Sequence, residues 1–81
     1  MNIKELYTKL IELNIPEDQF YLHGLYGSTN DNEKESLTIK RGKYTIIYEV
    51  YYRERGNKHS IRNFTDENEA CNYILNKFTR K

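Results

Sequence analysis

The sequence has 81 residues, of which 37% are hydrophobic and 31% are charged, and its formal net charge is +1. A chain of this length holds one small core, so we expect a single domain over residues 1–81. One cysteine excludes an internal disulfide, and no apolar run is long enough for a signal peptide or a membrane span, so a cytoplasmic protein with no membrane partner is expected.

The first predicted element is an amphipathic helix. Asn2 can cap this helix, and Glu5 has the spacing that closes a capping box. The helix is expected to end near Asn14, because Pro16 disfavours helical geometry in the residue before it. Its apolar side recurs at helical spacing and consists of Ile3, Leu6, Tyr7, Leu10, Ile11 and Leu13.

Four segments with alternating or aromatic-rich patterns are predicted as strands. They are residues 20–23, 36–39, 43–53 and 58–64. Turns are predicted at Arg41-Gly42 and at Arg55-Gly56-Asn57, where glycine permits a tight reversal. Residues 24–35 contain two glycines and a polar run, so we predict a mobile loop there.

The longest strand places two sets of residues on opposite sides of the sheet, because successive side chains alternate. We predict that the first set packs on the helices: Tyr44, Ile46, Tyr48, Val50 and Tyr52. We predict that the second set points outward: Thr45, Ile47, Glu49, Tyr51 and Arg53.

A second helix is predicted after the last strand. Thr65 or Asp66 can cap it, and Glu69 has capping-box spacing from Asp66. Cys71 lies within its apolar stripe, which favours a small buried side chain over a nucleophile. The predicted fold class is therefore α+β: an antiparallel sheet of three to four strands with an N-terminal and a C-terminal helix packed on one face, in the order α-β-β-β-β-α.

Catalytic and metal-binding motifs are weak in this sequence. The two histidines, His23 and His59, fall on separate predicted strands, so no metal site is expected. Gly24 and Gly27 lead into a strand rather than a helix, so no cofactor is expected either. A metal-independent ribonuclease is one alternative, assembled from His59 and the strand residues Glu49, Tyr51 and Arg53. Any alternating strand brings such residues onto one face, however, so we do not expect an enzyme.

Binding of RNA is the main alternative function, because helix, three strands, helix is also the order of double-stranded RNA-binding domains. Residues 40–81 carry ten bases against five acids, whereas residues 1–39 carry three bases against seven acids. In that family a lysine cluster at the start of the second helix grips phosphates, but here residues 65–69 are acidic. We therefore do not expect nucleic acid as a partner.

Three segments carry a family likeness. They are Ile15-Pro16-Glu17-Asp18, the strand end Val50-Tyr51-Tyr52-Arg53-Glu54-Arg55-Gly56, and Phe64-Thr65-Asp66-Glu67-Asn68-Glu69-Ala70-Cys71-Asn72-Tyr73. In these segments the chain resembles a group of small bacterial immunity-type proteins found beside polymorphic toxins. The likeness covers most of the C-terminal half, where an aromatic strand runs into a turn and then into a capped helix.

The resemblance implies a non-enzymatic protein that binds a cognate toxin domain as a heterodimer and occludes its active site. Tyrosines would act as hot spots in such an interface, and charged side chains would fix its register. Residues of the family motif and of the outward set are the expected partner-binding residues: Glu49, Tyr51, Arg53, Glu54 and Arg55.

Overall fold

A computed structural model describes residues 1–79 of the chain. In chain order the elements are α1 (Ile3–Glu12), a 3-10 turn (Glu17–Gln19), β1 (Phe20–Leu22), β2 (Tyr26–Gly27), β3 (Glu35–Arg41), β4 (Ile46–Glu54), β5 (Asn57–Phe64) and α2 (Glu67–Thr79). The α+β class and the two terminal helices agree with the prediction.

The sheet differs from the predicted antiparallel sheet of three to four strands. It has five strands in the order β2-β1-β3-β4-β5, and β1 pairs with β3 in parallel. After β1 the chain reverses and forms the two-residue strand β2, which pairs antiparallel with β1. The chain then returns, and β3 begins beside the start of β1, so these two strands are parallel. Parallel neighbours need such a long connection, and here residues 23–34 supply it.

Both helices begin at a predicted cap, although in α2 Asp66 bonds the Asn68 N–H rather than that of Glu69, the predicted capping-box partner. In α1 the Asn2 side chain accepts a hydrogen bond from the Glu5 N–H, and the Glu5 carboxylate accepts one from the Asn2 N–H, so the capping box is confirmed. Asn14 has a φ of 61°, which ends the helical geometry. In α2 the Asp66 carboxylate accepts from the Asn68 N–H at 2.9 Å.

Both helices pack on one face of the sheet and run in the same direction. Near their N-terminal ends the Ile3 N–H donates to the Glu67 carboxylate at 3.0 Å. Near their C-terminal ends Leu13, Leu75 and Thr79 line one shallow groove. The core between the helices and the sheet consists of Ile3, Leu6, Leu10, Phe20, Leu22, Leu37, Val50, Ala70, Cys71 and Ile74.

The prediction of which β4 side chains face the helices is confirmed in the middle of the strand. It is wrong just before the start of the strand. Val50 is in the core and Tyr48 packs against it, as the alternation predicts. Tyr44 does not face the helices: it lies in the turn before β4, and the Gly42 N–H donates to the Thr45 carbonyl there at 2.7 Å. The reversal occupies residues 42–45 rather than ending at Gly42, and Tyr44 is 89% exposed.

Candidate functional site

The face of the sheet that points away from the helices, called the outer face below, is mostly polar. Side chains of directly paired residues project on the same side, and Ser36 pairs with Tyr51, Thr38 with Glu49, and Lys58 with Arg53. The outer face therefore includes Ser36, Thr38, Lys40, Glu49, Tyr51, Arg53 and Lys58. Three of the five predicted partner-binding residues, Glu49, Tyr51 and Arg53, are brought together here.

The outer face is covered rather than open, which corrects the predicted exposure of Glu49 and Tyr51. Glu49 is only 5% exposed and Tyr51 only 1%. Lys40 and Lys58 bind the Glu49 carboxylate, and Lys58 lies over the Tyr51 ring. The connection after β2, predicted as a mobile loop, contributes Asp31, which binds the Tyr51 hydroxyl. It is tied to β4 because the Glu33 N–H donates to the Arg53 carbonyl at 2.7 Å and Asn32 forms a parallel bridge with Arg53. Residues 28–34 are called the strap below.

One polar cluster joins the strap to the outer face through Asp31. The Tyr51 hydroxyl donates to the Asp31 carboxylate at 2.5 Å, and Arg53 Nη1 lies 3.3 Å from the same carboxylate. The hydrogen bond from Tyr51, with the charge of Arg53, holds the pKa of Asp31 below its usual range despite partial burial. Burial, together with that carboxylate, raises the pKa of Tyr51 far above that of a free tyrosine. The pair is therefore a neutral phenol bound to an ionised acid.

A second polar cluster is centred on Glu49. Lys58 Nζ lies 2.7 Å from one carboxylate oxygen of Glu49, and Lys40 Nζ lies 3.0 Å from the other. Burial alone would raise the pKa of Glu49, but the hydrogen bonds and charges of the two lysines outweigh it and the pKa is lowered. The Lys58 ammonium also lies 4.5 Å from the centroid of the Tyr51 ring, so the two clusters touch.

These clusters are suited to holding the strap in place rather than to proton transfer. A phenol with a raised pKa and two carboxylates with lowered pKa values keep one protonation state near neutral pH. His59, the remaining member of the ribonuclease alternative, pairs with Tyr52 and so projects on the opposite side from Glu49, Tyr51 and Arg53. The structure does not bring those four residues together.

The other two predicted partner-binding residues, Glu54 and Arg55, lie at the β4–β5 turn and are exposed. Glu54 pairs with Asn57 to close the hairpin, and Arg55 and Gly56 both have positive φ, at 52° and 80°. Two consecutive positive φ values define the tight turn that suits the strand twist. Gly56 thus has a structural role, and Glu54 and Arg55 stay a prediction as partner contacts.

The turn between β3 and β4 exposes an aromatic ring that the sequence pattern placed against the helices. Residues 41–46, called the basic tip below, contain Arg41, Lys43, an exposed Tyr44 and no acid. The sequence pattern does not reveal the exposure of Tyr44, because Tyr44, Ile46 and Tyr48 keep the two-residue alternation of a strand through the turn. The signal that could have found it is Gly42, which marks the start of the reversal rather than its end.

Few other groups offer chemistry. Cys71 is fully buried, and burial raises the pKa of its thiol to about 12, which opposes thiolate formation. Within residues 1–79, no three His, Cys, Asp or Glu side chains gather in a way that could hold a metal ion. In the described part of the chain, neither helix has the length and apolar character needed to cross a membrane.

Comparison of the chain with protein-family models, with curated proteins and with solved structures finds no match. Inferences about function therefore depend on the residues and surfaces described above and on the resemblance of the C-terminal half.

Proposed function

We propose that this protein is an immunity-type protein that binds a cognate bacterial toxin domain and neutralises it by occluding its active site. The proposal is supported by the resemblance in residues 50–73 and by the way those residues are used in the fold. Tyr51 and Arg53 bind the strap, Gly56 makes the turn, and Asp66 caps α2. These members of the shared motif support the fold, so recognition is left to its exposed residues Glu54 and Arg55 and to exposed residues outside the motif.

The observation that carries the proposal is a set of large apolar side chains left uncovered by the fold. Tyr44 is 89% exposed and Leu25 is 64% exposed, and the set also includes Ile46 and Ile61. Aromatic and aliphatic side chains on a rigid surface become anchors when a protein partner removes them from water. A protein that acts by occlusion needs such anchors and needs no reactive group.

A protein partner is preferred to RNA because the bases of the outer face are paired with acids within the fold. Lys40 and Lys58 are paired with Glu49, and Arg53 is paired with Asp31. RNA binding at physiological salt requires several bases that are free to displace counterions from phosphates. The acidic start of α2, where Asp66, Glu67 and Glu69 lie, further opposes phosphate contacts.

Co-expression with the domain encoded by the neighbouring gene tests the proposal. We expect the two proteins to co-purify as a one-to-one heterodimer, and we expect this protein to rescue growth of cells that produce the active domain. Absence of a complex, together with submicromolar binding of duplex RNA that weakens steeply with added salt, would establish the RNA-binding alternative instead.

A further inference from the structure

The basic tip combines an uncovered aromatic ring with free positive charge. Tyr44 at its apex is 89% exposed, and Ile46 at its base is exposed as well. Arg41 and Lys43 flank the ring, and within residues 1–79 neither forms an ion pair. The preceding base, Lys40, is already paired with Glu49, so the free charge of the tip is +2.

Backbone pairing at both ends of the turn holds the basic tip in a defined conformation. Arg41 pairs with Ile46 at the end of the β3–β4 ladder, and the Gly42 N–H closes the turn on the Thr45 carbonyl at 2.7 Å. The Lys43 ammonium lies 5.3 Å from the centroid of the Tyr44 ring, which favours one arrangement of the two side chains. A rigid anchor loses little conformational entropy on binding, so more of its contact energy contributes to affinity.

We propose that the basic tip is the docking element, and that it inserts Tyr44 into an acidic cleft of the partner protein. Arg41 and Lys43 would then pair with carboxylates at the rim of that cleft. This inference rests on the proposed function and names the surface that performs it. Charge complementarity selects the partner: a tip with two free cations and no acid fits a negatively charged protein surface.

An acidic protein cleft is favoured over a nucleic acid by the number of free charges. Two cations release few counterions from a phosphate backbone and give weak binding at physiological salt. One tyrosine supplies a single stacking platform, whereas single-stranded binding proteins combine several with a continuous basic groove. On a protein, one buried tyrosine with a flanking arginine is sufficient for a hot spot.

Calorimetry with the catalytically inactivated domain encoded by the neighbouring gene tests the inference. We expect Tyr44→Ala to weaken the complex by at least about 30-fold, because a hot-spot truncation of about 2 kcal/mol corresponds to that factor. Ile11→Ala is the matched control, since it also shortens an exposed apolar side chain and lies on α1, outside the proposed anchor set. It should change affinity by less than about threefold.

Charge reversal tests the rim contacts separately. Lys43→Glu should slow association about tenfold and reduce its dependence on salt, because electrostatic complementarity acts mainly on the association rate. Lys4→Glu changes the net charge equally on the exposed first turn of α1 and should leave the rate within about twofold.

The outcomes separate the two proposals. If the wild-type protein binds and Tyr44→Ala binds equally well, the docking element lies elsewhere and this inference is wrong while the proposed function stands. Loss of binding in Arg55→Ala but not in Tyr44→Ala would place the interface at the β4–β5 turn.

If the wild-type protein does not bind, the proposed function fails. If Tyr44 instead governs binding of a single-stranded RNA 20-mer, the basic tip is a nucleic-acid site and the protein-cleft inference is overturned.

Discussion

Tyr44 and Tyr51 lie seven residues apart in one aromatic segment, but their exposure differs. Tyr44 is 89% exposed, whereas Tyr51 is 1% exposed and contacts the strap through its hydroxyl. Tyr51 has Asp31 on its hydroxyl and Lys58 over its ring. Tyr44 has the neighbouring Lys43 over its ring. A tyrosine that points outward from a strand is therefore not necessarily exposed to solvent. Residues from elsewhere in the chain, such as Asp31 at Tyr51, decide whether its ring is covered.

The comparison also assigns different roles to charge in the two regions. On the outer face, three cations are paired with two carboxylates, and one of these pairs, Arg53 with Asp31, links β4 to the strap. At the basic tip, Arg41 and Lys43 keep their charge available to a partner. The outer face therefore contributes to the stability of the fold, and the basic tip is the surface that we propose for binding.

The largest expected effect is a difference between the two tyrosines in how much their replacement lowers the free energy of unfolding. Tyr51→Ala should lower the free energy of unfolding by about 3–5 kcal/mol, because it leaves a cavity and removes the hydrogen bond to Asp31, which keeps only Arg53 as a partner. Tyr44→Ala should change it by less than about 0.5 kcal/mol, since the ring is exposed. Urea denaturation followed by circular dichroism measures both. Equal effects would show that the strap does not cover Tyr51 in solution.

A smaller effect is expected from the link between strap and outer face. Asp31→Ala should lower the free energy of unfolding by about 2 kcal/mol, because it removes a charged hydrogen-bond partner of Tyr51 and Arg53. Asp18→Ala, at an exposed acid in the 3-10 turn, is the matched control and should change it by less than about 0.5 kcal/mol. In a double-mutant cycle with Tyr51→Phe, the two effects should not add; simple additivity would mean that the hydroxyl and the carboxylate do not interact.

The smallest effect is a pH dependence carried by the two carboxylates. The folded pKa values of Asp31 and Glu49 lie below their ordinary values of 3.8 and 4.5, so the unfolded chain takes up protons first as the pH falls. Their stabilisation is complete above the ordinary values and is lost as the pH falls through the folded ones, from about pH 5 downward.

Urea midpoints measured between neutral and acidic pH check this dependence. Asp31→Asn should show a shallower loss of stability with falling pH than the wild type. Asp18→Asn should retain the wild-type slope, because Asp18 is exposed. Identical slopes for the wild type and Asp31→Asn would show that Asp31 is not stabilised by Tyr51 and Arg53.

Local patterns were enough to predict most of the fold. The capping box at Asn2 and Glu5, the end of α1 near Asn14 and the burial of Cys71 all follow from neighbouring residues. The alternation that placed Tyr48 and Val50 toward the helices is also local, since it depends only on the pleat of one strand.

Features that depend on distant parts of the chain escaped prediction. The two-residue strand β2 is too short to give a pattern, and the parallel pairing of β1 with β3 depends on where the connection after it returns. The burial of Tyr51 depends on Asp31, twenty residues earlier. The error at Tyr44 has a local cause. Its alternation with Ile46 resembles a strand, although the backbone forms a turn there.

The most direct test of the central claim, that the basic tip binds the partner while the strapped outer face does not, is amide hydrogen exchange with and without the domain encoded by the neighbouring gene. We predict that complex formation slows exchange in residues 41–46 and leaves residues 28–34 and 49–53 unchanged, because the latter are already covered in the free protein. Slower exchange in residues 28–34 or 54–57, with no change in residues 41–46, would contradict the claim.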